Sequence, residues 1–192
     1  MRTRTSLVLL SAALGLAFLA PTGPVIAANA SVSVDNFAFT SANVAVGQGQ
    51  KVTWTFHSEH TTTSRQGFWN SGMKSSGTYV VTFPDAGTFA YLCTMHPSMT
   101  GSIKVPLTAT GTAKKGWTLR WSSRTSTPAS RRYDVQYHRV GVAAWTSFRT
   151  GSAARTGLFN PSRSAKYVVR ARTTNVGHGS SGWTPSLTVT IS

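Results

Sequence analysis

The chain has 192 residues, a formal net charge of +15 and a single cysteine. One cysteine excludes an intramolecular disulfide, and the length allows one domain or two. Tyr, Phe, Trp, Val and Thr are abundant, and Gly and Pro interrupt the chain often. No long stretch repeats apolar residues with the helical period, so the composition predicts an all-β protein.

The first residues have the composition of an export signal. Residues 1–4 are basic, residues 6–20 are apolar, and residues 28–30 (Ala-Asn-Ala) supply a cleavage pattern, with Ala27 as a second option. This order predicts a secretory signal peptide over residues 1–30. A membrane anchor is the alternative, but the apolar run is shorter than the ~20 residues that a bilayer requires. We therefore expect an exported protein, secreted or held in the cell envelope, with no membrane span after cleavage.

Basic residues are distributed unevenly along the rest of the chain. Residues 31–106 contain four basic and three acidic side chains, whereas residues 107–192 contain thirteen basic side chains and Asp134 as their one acid. This change in net charge, from +1 to +12, marks a domain boundary. A strand pattern ends just before Pro106, so we predict one domain over 31–106 and a basic domain over 107–192.

Residues 31–106 alternate apolar and polar side chains in short stretches that are separated by turns. These stretches are 32–34, 37–39, 51–56, 78–83, 88–92 and 101–105. Short strands at such even spacing predict a β-sandwich or a barrel.

Three residues with soft or borderline donor atoms follow the stretch 88–92. Cys93, His96 and Met99 are spaced three positions apart, so one loop can direct a thiolate, an imidazole and a thioether at a single ion. In an oxidising compartment a lone thiol is expected to be buried, catalytic or bound to a metal. These donor types suit copper in both oxidation states.

A fourth donor has to come from another segment. His60 and His57 are the candidates, because both follow the predicted strand 51–56. Two His, one Cys and a weakly bound Met form the blue-copper pattern, which serves one-electron transfer.

The segment from Tyr91 to Val105 resembles the C-terminal ligand loop of the cupredoxins, the blue (type 1) copper proteins. Its Cys-x2-His-x2-Met spacing is most similar to that of the amicyanins, and His60-Thr-Thr-Thr63 matches the first ligand histidine of the family. The resemblance implies a Greek-key β-sandwich over 31–106 that holds one copper ion, cycling between Cu(I) and Cu(II).

The same resemblance assigns a role to each residue of the site. It implies nitrogen ligands from His60 and His96, a thiolate ligand from Cys93 and an axial thioether from Met99. It also implies that His96 lies near the surface and is the exit for the electron.

Two positions depart from the cupredoxin pattern. Thr61 stands where the family often has Asn, which ties the two ligand loops together, and Met95 stands where it often has Pro. Both neighbour ligands, where hydrogen bonding and apolar contacts tune the potential. A dinuclear centre would need a second cysteine, and an oxidase would need many more than the 5 histidines present. The sequence thus predicts a mononuclear site and no enzymatic activity.

Residues 107–192 also alternate as short strands. The predicted strands are 117–121, 132–139, 144–148, 166–172 and 186–191, and the stretch 175–182 is predicted to be a loop. The segment resembles a fibronectin type III domain, with Trp121 as the core tryptophan. The resemblance implies a second, immunoglobulin-like β-sandwich, a fold that by itself fixes no function.

One strand of this domain carries its charge on a single predicted face. Tyr167, Val169 and Ala171 share one side, which leaves Arg170 and Arg172 on the other. Such a face attracts polyanions, so the predicted partners are an anionic cell-envelope polymer or an acidic redox partner protein. One alternative is a charge that only keeps the protein soluble. Another is nucleic acid, which export and the lack of a recognised reading motif disfavour.

Together these features predict a blue-copper electron carrier with a basic tethering domain. The alternatives are a copper-binding protein that buffers or delivers the metal, and an envelope adhesion module whose copper site is accessory.

Overall fold

A computed structural model describes residues 28–192, so the predicted signal peptide lies outside the described residues except for its last three positions. Within 28–192 the chain forms sixteen strands and no helix, and therefore no helix that could cross a membrane. The first eight are β1 (Ala30–Asp35), β2 (Ala38–Thr40), β3 (Asn43–Ala45), β4 (Gln50–Phe56), β5 (Thr63–Ser64), β6 (Gly77–Phe83), β7 (Gly87–Leu92) and β8 (Thr100–Val105). The others are β9 (Thr108–Thr112), β10 (Gly116–Arg120), β11 (Arg131–Arg139), β12 (Thr146–Ser152), β13 (Thr156–Phe159), β14 (Ala165–Asn175), β15 (Gly179–Ser180) and β16 (Leu187–Ile191).

The first eight strands form a sandwich of two sheets, in the orders β2-β1-β4-β6 and β3-β8-β7-β5. Strand β1 pairs in parallel with β4, and β3 pairs in parallel with β8, while the other neighbours are antiparallel. Alternate residues of the strands face inward and form one apolar core. Trp54, Tyr91 and Ile103 are fully buried in it, and Cys93 and Met99 belong to the same core.

The remaining strands form a second sandwich with its own core. One sheet has the order β13-β10-β9, and the other has the order β12-β11-β14-β15, with β16 also paired to β14. The Tyr167 hydroxyl donates to the Arg163 carbonyl at 2.8 Å, a corner that recurs in immunoglobulin-like sandwiches. The prediction of an all-β chain built from β-sandwiches is confirmed.

Several strand boundaries differ from the prediction. Strand β14 continues to Asn175, and β15 occupies part of the stretch 175–182 that the sequence predicts to be a loop. Strand β12 begins at Thr146 and ends at Ser152, later than the predicted 144–148. Strand β9 was not predicted, because its sequence Thr-Ala-Thr-Gly-Thr has no large apolar residue to mark an alternation.

The turn between β6 and β7 inserts into the second sandwich. Asp85 lies in this turn, which the sequence predicts to be an ordinary one, and is only 4% exposed. Its carboxylate accepts hydrogen bonds from Arg124 Nε at 2.8 and 2.9 Å, from Ser122 Oγ at 2.7 Å and from the Tyr133 hydroxyl at 2.8 Å. The adjacent Ala86 is buried within the second core. This turn therefore fastens the two sandwiches together.

On the outer face of the second sandwich, arginines stack on tryptophans. The Arg170 guanidinium lies 3.7 Å from the ring centroid of Trp145 and 4.4 Å from that of Trp183. Arg172 lies 4.7 Å from the Trp183 centroid and donates to Asp134 at 2.9 Å. Cation–π contacts thus cover the guanidinium groups of both arginines, and Asp134 offsets the charge of Arg172, so less of each guanidinium is available to a polyanion.

Candidate metal centre

One end of the first sandwich collects the donor residues of the predicted site. His60 lies in the segment after β4, Cys93 follows β7 directly, and Met99 immediately precedes β8. The loop between β7 and β8 is folded back on itself by three backbone hydrogen bonds. Cys93 N donates to Met99 O at 3.0 Å, His96 N to Cys93 O at 3.3 Å, and Met99 N to His96 O at 2.8 Å. The loop is therefore compact, and Cys93 and His96 are held on the same side as His60.

Three donor atoms form a triangle at this end. His60 Nδ1 and His96 Nδ1 are 3.1 Å apart, and Cys93 Sγ lies 3.7 Å from the first and 3.6 Å from the second. Within 28–192 this is the one group of His, Cys, Asp and Glu residues arranged to hold a metal ion. His57 is exposed and lies outside the group.

The dimensions of the triangle fit a metal ion. A point equidistant from its three corners lies ~2.0 Å from each, about the length of a metal–nitrogen bond. Two imidazoles and one thiolate are also the equatorial donors of blue-copper centres. The donor set therefore suits a copper ion.

The three donor residues differ in their access to solvent. Cys93 is fully buried, His60 is 3% exposed, and His96 is half-buried. Burial lowers the pKa of His60, and the charge of His96 lowers it further, although Asp35 raises it. A lowered pKa favours the neutral imidazole, the form that binds metals. His96 is thus the donor through which the centre reaches the surface.

Thr61 ties the two ligand segments together. Its backbone N–H points at Cys93 Sγ at 3.4 Å, and its Oγ1 accepts a hydrogen bond from Thr94 N at 2.9 Å. The two threonine hydroxyls are also in contact, at 3.2 Å. The departure from Asn at this position therefore leaves the connection between the loops intact, because the hydroxyl and the backbone amide make it.

Met99 and the neighbouring methionines differ in exposure. Met99 is 3% exposed and lies in the core with Cys93, while Met95 is 48% and Met73 is 46% exposed. The axial role of Met99 stays a prediction. Met95, the second departure from the cupredoxin pattern, faces solvent beside His96.

Phe37 is a residue of the site that the sequence did not reveal. The alternation with Phe39 suggests a strand position, but Phe37 is 69% exposed and lies in the two-residue turn between β1 and β2. Asn36 and Phe37 have φ of 47° and 58°, values that favour Gly at the second position of such a turn. The Phe37 ring packs edge-on against His96 at 4.7 Å and His60 at 5.8 Å between centroids. Phe37 thus covers the solvent side of both imidazoles.

Replacing Phe37 with Gly separates the ring contact from the turn. Gly adopts positive φ without strain, so the relief of backbone strain offsets the loss of the ring contacts, and Phe37→Gly is expected to change the free energy of unfolding little. An aromatic pair contributes about 0.5–1.5 kcal/mol, so we expect a chelator to remove copper about three- to tenfold faster. Stopped-flow extraction of the copper-loaded protein measures this rate, with Phe37→Tyr as the control that keeps the ring. Equal rates in all three proteins would show that the ring does not hold the imidazoles.

Comparisons with known proteins find similarity only to solved structures. No family model and no curated protein sequence matches the chain. An oxidised mutant of amicyanin is 26% identical, over 39% of this chain and 79% of its own, with a TM-score of 0.37. A reduced Cu(I) form of another amicyanin mutant is 27% identical, over 43% and 86%, with a TM-score of 0.38. Amicyanin from Paracoccus versutus is 26% identical, over 43% and 85%, with a TM-score of 0.37.

Proposed function

We propose that the protein is an exported blue-copper electron carrier, not an enzyme. The observation that carries this proposal is the triangle of His60 Nδ1, His96 Nδ1 and Cys93 Sγ, with sides of 3.1 to 3.7 Å, at one end of a β-sandwich. Met99 would supply the fourth ligand, a thioether. A copper ion bound there supplies one-electron exchange between Cu(I) and Cu(II).

The surrounding residues hold the donor atoms in place and shield Cys93 and His60 from water. The core of the first sandwich buries Cys93 and His60 and excludes water from them. Thr61 donates its backbone N–H toward the Cys93 sulfur, and a hydrogen bond to the sulfur is one of the means by which a protein sets the potential of such a site. His96, half-buried beside the exposed Met95 and Phe37, is the contact for a redox partner.

Redox titration of the copper-loaded protein tests this proposal. We expect a reversible one-electron transition with copper retained in both states. Met99→Gln should keep copper but lower the potential, because a harder axial donor favours Cu(II). Met73→Gln, at an exposed methionine, is the matched control and should leave the potential unchanged. Release of copper on reduction of the wild-type protein would instead support a role in buffering or delivery.

We also propose that the second sandwich is a fibronectin type III-like module that tethers the carrier to an anionic envelope polymer. Its net charge of +12 and the Tyr167–Arg163 corner support this assignment. The full chain should sediment with anionic cell-wall material at 0.1 M salt and not at 1 M, because the Debye length falls from ~10 Å to ~3 Å. A neutral polysaccharide is the control. Retention that is indifferent to salt would contradict an electrostatic tether.

A further inference from the structure

The second sandwich contains an open cavity of about 490 Å³ that the proposed copper chemistry does not use. It lies where β10 and the segment before β13 meet, and Arg120, Arg124 and Arg155 line it together with Ser122 and the backbone of 153–156. Three arginines line this one concavity and make it a cationic groove, which we call the arginine groove.

Each of the three arginines uses only one nitrogen of its guanidinium to bind the rest of the protein. Arg120 Nε donates to the Ser122 carbonyl at 3.1 Å, and Arg124 Nε donates to Asp85 at 2.8 and 2.9 Å. Arg155 Nη1 donates to the Arg124 carbonyl. Within residues 28–192, the Nη atoms of Arg120 and Arg124 and the Nη2 atom of Arg155 make no hydrogen bond. These donors are pre-positioned for an external acceptor.

Within the described residues, the protein pairs only Arg124 of the three groove arginines with a carboxylate. Asp85 is the one carboxylate in contact with any of the three arginines in the described chain, and it also lies 4.0 Å from Arg131. Both of its oxygens are already occupied by the hydrogen bonds of the junction. On the outer face, by contrast, tryptophan rings cover both Arg170 and Arg172, and Asp134 also pairs with Arg172. The arginine groove is therefore the better placed surface for an anion.

We propose that Arg120, Arg124 and Arg155 bind the phosphoryl groups of a polyanionic polymer. The planar fork of a guanidinium matches two oxygens of a phosphate, and three forks facing one concavity can contact successive phosphoryl groups. The groove is open and large, as a chain passing through it requires. This inference rests on the proposed tether and names the arginine groove as the place where the polymer binds.

Isothermal titration calorimetry of the full, copper-loaded chain with short linear polyphosphate tests the site. Arg120→Gln with Arg155→Gln removes two charges and should weaken binding by at least about tenfold, because a hydrogen bond to a charged group contributes about 1.5–3 kcal/mol. Arg124 is left intact because it pairs with Asp85. Lys114→Gln with Lys115→Gln, on the exposed turn between β9 and β10, removes the same charge and should change affinity much less.

A second pair of variants guards against a folding defect. Arg120→Lys with Arg155→Lys keeps the charge and loses the fork, so polyphosphate should bind more weakly than to the wild-type protein. An unchanged visible spectrum and unfolding midpoint verify that the variants fold. If Arg120→Gln with Arg155→Gln weakens binding no more than Lys114→Gln with Lys115→Gln, the arginine groove is not the binding site. The salt-dependent tether would then still stand. Inorganic phosphate binding as tightly as polyphosphate would assign the groove to free phosphate and overturn the polymer.

Discussion

Cys93→Ser is expected to abolish the visible colour of the copper protein. A copper–thiolate bond gives the Cu(II) form of a blue site an intense charge-transfer band in the visible range, and a hydroxyl cannot supply that transition. Cys93 is fully buried and its sulfur is a corner of the donor triangle, so the substitution also removes one of the proposed ligands. Absorption spectroscopy after addition of one equivalent of Cu(II) measures the loss.

The control for this prediction is Met95→Leu. Met95 is exposed in the same loop and is not one of the proposed ligands, so its replacement should leave the band in place. A wild-type protein that binds stoichiometric Cu(II) without colour would contradict the blue-copper assignment. A band that persists in Cys93→Ser would contradict the assignment of Cys93 as the thiolate ligand.

Asp85→Asn is expected to destabilise the whole chain by about 3 kcal/mol. Removing one partner of a buried ion pair leaves the other charge uncompensated, which costs about 3–5 kcal/mol. We expect the lower end because the Arg124 side chain is 28% exposed, so water partly replaces the carboxylate. Urea unfolding followed by near-ultraviolet circular dichroism measures the change. Because Asp85 joins the sandwiches, the variant should also separate their unfolding transitions.

Asp134→Asn provides the matched control for the junction. Asp134 pairs with Arg172 on the outer face, where the arginine is 37% exposed, and an exposed ion pair contributes about 0–1 kcal/mol. The same chemical change should therefore cost far less there. Similar losses of stability in the two variants would contradict the structural role of Asp85.

The sequence by itself determined the features that depend on neighbouring residues. The alternation of apolar and polar side chains is a local property of a strand, so the long strands β4, β6, β7 and β11 are where the pattern predicts them. The spacing of Cys93, His96 and Met99 is also local, because one short loop carries all three. Their chemistry points to copper without any knowledge of the fold.

Only the tertiary structure decided which distant residues meet. The sequence offers both His57 and His60, and the packing of the segment after β4 against the loop after β7 brings His60 to Cys93. Thr61 and Phe37 act on the site through contacts across the sandwich, which no local pattern encodes. The sequence predicts Asp85 to be a turn residue, and only the packing of the second sandwich around it buries its carboxylate. Charge counts predicted a basic domain, but only the fold determined which of its arginines pair with a carboxylate, stack on a tryptophan or line the groove.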